Sequence, residues 1–156
     1  MKVIHRVVLS LSTVTALVIP SSAQALEHVD KWAVDGVEAA RQAGLEPAAL
    51  AGADAAAPVT RAEFAAIALA TYEAVTGQQA AVETTPAFPD CDDPAVAAAS
   101  RLGLVSGRSD GTFAPDAAIN RQELCVMLAG VARAAGLEAD PESDLSRFPD
   151  AGMVDW

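Results

Sequence analysis

Apolar residues recur at helical spacing in two long stretches of the chain. In the first, Phe64, Ile67, Ala68, Thr71, Tyr72 and Val75 fall on one side. In the second, Leu124, Met127, Leu128, Val131, Ala132 and Ala135 do the same. Such spacing predicts amphipathic α-helices. Thr60 and Asn120 stand where each helix would begin, with Glu63 and Glu123 three residues on, the pattern of a capping box. Gly77 and Gly136 stand where each would end. Two shorter helices precede them. Asp30 is positioned to cap one that carries Trp32, Val37, Ala40 and Ala43 and stops at Gly44. Asp93 caps the other, with Pro94 at its first position and Gly103 at its close.

The two helix pairs are copies of one plan. Thr60-Arg61-Ala62-Glu63-Phe64 returns as Asn120-Arg121-Gln122-Glu123-Leu124, Gly44-Leu45 as Gly103-Leu104, and Phe88-Pro89-Asp90 as Phe148-Pro149-Asp150. A recurring offset of about 60 residues marks supersecondary units that cannot bury their apolar faces alone. The expected division is a leader at 1–25, a first repeat at 26–77, a linker at 78–87, a second repeat at 88–137, a linker at 138–147 and the start of a truncated third repeat at 148–156. In the second repeat, Ser109-Asp110-Gly111-Thr112-Phe113 holds the Asp-Gly pair of a tight turn, after which Phe113 points inward. The first repeat has only Ala51-Gly52-Ala53-Asp54-Ala55 there. The fold class expected is all-α.

Residues 1–25 read as a secretory signal. Lys2, His5 and Arg6 open it, Val7 to Ile19 is apolar, Pro20 breaks the run, and Ala23-Gln24-Ala25 has a cleavage pattern. About 13 apolar residues are too few to span a bilayer, so no membrane span is expected in the mature form. Ten Lys and Arg stand against 21 Asp and Glu. A surface this acidic excludes tracking along nucleic acid and a polybasic grip on lipid. Cys91 and Cys125 are the only cysteines. Export permits a disulfide between them, and two unpaired small apolar residues explain them as well.

No catalytic set emerges. His28 is the sole histidine after the leader, which leaves no Ser-His-Asp or Cys-His arrangement. Neither metal nor cofactor is expected, since the acidic loops Asp90-Cys91-Asp92-Asp93 and Ser109-Asp110-Gly111 lack the alternating spacing of a calcium loop. The chemically odd residues are Arg61 and Arg121. Each places a cation in the first turn of a helix, where the macrodipole disfavours it by about 0.3–1 kcal/mol. Two resolutions stand open on sequence. A bound anion would complete an anion site at the helix start, or a nearby acid would form a salt bridge.

These motifs, in this order, resemble the S-layer homology (SLH) domains of bacterial surface proteins. The likeness runs through Trp32-Ala33, Pro58 to Phe64, Gly103 to Gly107, Asp110 to Pro115 and Ile119 to Glu123. It implies helix-loop-helix units, normally three around a pseudo-threefold axis, and a non-catalytic module anchoring its protein in the cell wall or S-layer. The implied partner is secondary cell-wall polysaccharide attached to peptidoglycan, bound in grooves between repeats and often carrying a pyruvyl carboxylate. It assigns polysaccharide contact to Arg61, Arg121 and Trp32. Thr60, Glu63, Asn120 and Glu123 need only their capping roles. The competing expectation is a protein–protein module of the cell surface, calcium-dependent or self-assembling.

Overall fold

A computed structural model describes residues 25–137. The described residues form four α-helices and one short 3₁₀ turn, with isolated bridges and no strand. The chain runs α1 (Val34–Gln42), the 3₁₀ turn (Ala48–Leu50), α2 (Arg61–Thr76), α3 (Pro94–Arg101) and α4 (Arg121–Ala134). The all-α expectation holds for this part. The leader up to residue 24, the second linker and the opening of a third repeat lie outside the described residues.

Helices α2 and α4 start where their sequences say. Thr60 Oγ1 accepts from Glu63 N, and Glu63 Oε2 accepts from Thr60 N at 2.7 Å. Asn120 Oδ1 accepts from Glu123 N, and Glu123 Oε2 accepts from Asn120 N at 3.0 Å. Both are full capping boxes, each worth about 1 kcal/mol. Helix α3 has Pro94 in its first turn, and Asp93 accepts from Ala95 N. Gly77 ends α2 in the left-handed region at φ 68°, a conformation that costs a Cβ-bearing residue energy.

The first helix departs from expectation. Its cap is Ala33, without a side-chain bond, and Asp30 instead holds a turn through its carbonyl to Ala33 N. Trp32 precedes α1 rather than riding on it. The Asp30 carboxylate faces the Trp32 indole N–H instead of the helix start.

The core is built around α2. That helix packs against both α3 and α4, whereas α1 packs on no other helix of the described residues and buries none of its own side chains. Phe64, Ala65, Ala68 and Tyr72 from α2 meet Val96 and Ala99 from α3, Leu104 and Phe113 from the loop between α3 and α4, and Met127 and Val131 from α4. Helix α2 thus packs against the α3–α4 half of the chain. Within that half α4 approaches the end of α3 closely, because the backbone of Gly130 lies against Gly103 and Leu104 with no room for a Cβ. Two residues of the predicted apolar faces, Val75 and Leu128, stand exposed.

Candidate functional site

The loop 104–119 is pinned from two sides. Phe88 stacks on Phe113 with ring centroids 5.1 Å apart, and Asp90 accepts from Phe113 N and Ala114 N at 2.8 and 2.7 Å. The Phe-Pro-Asp motif therefore works as a clamp on the Asp-Gly-Thr-Phe turn. Inside the turn, Asp110 accepts from Thr112 N and from its hydroxyl, and Arg108 N donates to Thr112 O. Gly107 leaves the space that the Phe88 ring fills. Asp90 and Asp110 of the acidic loops are accordingly spent on N–H and hydroxyl donors of this turn. Among the described residues no group of three His, Cys, Asp or Glu is placed to hold a metal ion.

These bonds depress both carboxyls. Asp90 is held below its ordinary value by the N–H groups of Phe113 and then Ala114, and Asp110 by the hydroxyl and N–H of Thr112. A carboxyl lowered on folding stabilises the fold above its ordinary pKa of 3.8 and loses that contribution as pH falls through the lower folded value. We expect Asp90→Asn to lower stability near neutrality and flatten the loss of stability as pH falls below the ordinary carboxyl value of 3.8. Urea midpoints across that range check it.

Against this loop lies Arg61, only 3% exposed. Its Nε donates to Phe113 O at 2.7 Å, one terminal nitrogen donates to Ser106 O at 3.1 Å, and the other pairs with Glu123 Oε1 at 2.8 Å. The guanidinium also rests 4.7 Å from the centroid of the Phe113 ring. The first-turn N–H groups of α2 are used as well: Arg61 N donates to Ala117 O and Ala62 N to Pro115 O. Of the two resolutions open on sequence, the contacts seen at Arg61 are internal. Two carbonyls of the 106–113 loop and a carboxylate of α4 surround its charge, and carbonyls already occupy the start of α2.

A groove of about 300 Å³ remains on the solvent side of this cluster. Arg61 forms its floor, Ser106, Gly107 and Arg108 one wall, and Gln122, Glu123, Val126 and Met127 the other. Arg108 reaches the same Glu123 Oε1 at the longer distance of 3.7 Å, with its side chain 43% exposed. Two guanidinium groups thus converge on one carboxylate. Arg108 was missed on sequence, although its place two residues before the Asp-Gly turn could have drawn attention to it.

Arg121 is exposed, does not line this groove, and has no partner among the described residues. Trp32 is 85% exposed, its indole N–H directed to Asp30 at 3.3 Å. It edges a second, more apolar groove of about 410 Å³ walled by Val37, Leu50, Val59 and Ile67, with Glu63 beside them. The structure therefore does not bring Trp32, Arg61 and Arg121 into one site. Nor are the cysteines bridged: Cys91 is a free thiol in the core, and Cys125 is a free thiol exposed on α4. Burial pushes the Cys91 thiol up.

Residues 91–125 match the S-layer homology domain family. S-layer homology domains are non-catalytic modules that anchor proteins at the cell surface by binding cell-wall polysaccharide. No curated protein and no solved structure matches the chain. No helix among the described residues is long and apolar enough to cross a membrane.

Proposed function

We propose that this protein is exported and anchors to an anionic secondary cell-wall polysaccharide through the groove between the start of α2, the 106–108 loop and α4. The observation that carries the reading is the convergence of Arg61 and Arg108 on Glu123. One carboxylate facing two guanidinium groups leaves a positive charge to be met from outside. Arg61 is consumed by its carbonyls and the short pair to Glu123. Arg108, loosely held and exposed, is the group that takes a ligand carboxylate, such as a pyruvyl ketal, in a bidentate pair. Trp32 offers an exposed ring on which a sugar face can stack. In a chain with formal charge −11, long-range fields repel an anionic polymer, so short contacts must do the holding.

The repeat organisation belongs to the same reading. Two capping boxes 60 residues apart, each opening a long helix, support two S-layer homology units, at 26–77 and 88–137.

Sedimentation with purified wall sacculi tests the function. The chain is expected to co-sediment with intact sacculi and to stay in solution once the secondary polymer has been chemically removed, with chelator making no difference. Binding that persists on stripped sacculi, or that a chelator abolishes, contradicts it.

A further inference from the structure

Among the described residues one long-helix interface is made and the two halves of another are left open. On α2 the interface face is Arg61, Phe64, Ala65, Ala68 and Tyr72, all buried against the second repeat. Sixty residues on, the same positions of α4 are Arg121, Leu124, Cys125, Leu128 and Ala132. Arg121, Cys125 and Leu128 are exposed there, and Leu124 and Ala132 only half-buried. Nothing among the described residues covers this face as the second repeat covers α2.

The receiving half is open too. What receives Arg61 is Glu123, with Met127 one turn further along α4. Their counterparts in the first repeat are Glu63 and Ile67, and both line the apolar groove beside Trp32. Glu63 uses Oε2 for its capping box, as Glu123 does. On Glu123, Oε1 takes Arg61; on Glu63, Oε1 has no partner among the described residues. Helix α3, the counterpart of α1, buries Val96 and Ala99 in the core with α2, whereas α1 buries nothing.

We propose that these halves meet between two copies of this chain. The α4 face of one copy enters the first-repeat groove of the other, and its Arg121 pairs with Glu63 of that copy as Arg61 pairs with Glu123 within the chain. The charges are complementary, and each copy holds one half of each kind, so two contacts form a pair where the rotation between copies closes. The pairing uses neither Arg108 nor its groove, although it covers the groove that Trp32 edges, so it is tested with no wall polymer present.

Sedimentation equilibrium of the purified chain, with no wall polymer present, tests it. Wild type is expected to dimerise in the micromolar range. Arg121→Glu and Leu128→Asp are each expected to weaken the dimer by about 30-fold or more, since each strips one side of a desolvated contact. Glu63→Gln retains a capping oxygen and is expected to weaken it too, while circular dichroism melting of a dilute, monomeric sample stays near wild type. A wild-type chain that is monomeric up to submillimolar concentration overturns the proposal, and so does a dimer indifferent to both Arg121→Glu and Glu63→Gln.

Discussion

Arg61→Ala is expected to cost about 3–5 kcal/mol of folding stability, read from urea unfolding midpoints. The guanidinium ties three segments together: the start of α2, the 106–113 loop and the first turn of α4. Its removal orphans the carbonyl of Phe113, leaves that of exposed Ser106 to water, and leaves Glu123 Oε1 with only the distant Arg108. The orphaned buried acceptor carries a desolvation penalty of about 1–3 kcal/mol. Arg121→Ala, by contrast, is expected to stay within about 0.5 kcal/mol in the monomer, because that side chain is exposed and unpartnered among the described residues. Equal small effects at both arginines would show that Arg61 does not hold the fold together.

Phe113→Ala is the second large effect, expected at about 3–5 kcal/mol. Phe113 is fully buried, stacks on Phe88 and forms the aromatic face beneath the Arg61 guanidinium. Truncation removes both contacts and opens a cavity between α2 and the loop. The two substitutions share a partner set, so their costs should not add in the double variant. A domain of this size has about 5–15 kcal/mol in total, so either change removes a large share of it. A loss below about 1 kcal/mol at Phe113, or strict additivity with Arg61→Ala, would contradict the shared cluster.

Local chemistry was legible in the sequence, and long-range pairing was not. Both capping boxes, the proline start of α3, the glycine stop of α2 and the inward Phe113 follow from short spacings, and the structure has each of them. Arg61 was rightly singled out as anomalous. Its partners could not be read because they lie 45 to 62 residues away and two of them are backbone carbonyls, which leave no mark on a sequence. The same limit hid the work of Asp90, whose acceptors' donors sit on Phe113 and Ala114. Leu128 matched the helical period and still lies exposed, since periodicity marks an apolar face without saying what covers it.

The division of labour between the two groove arginines is the centre of the account: Arg61 holds the fold and Arg108 holds the ligand. Calorimetric titration of Arg108→Ala with soluble, pyruvylated wall polysaccharide tests it most directly. The account predicts a loss of affinity of at least about tenfold, the scale of one charge-assisted pair, with an unchanged unfolding midpoint. Wild-type affinity in that variant would contradict it.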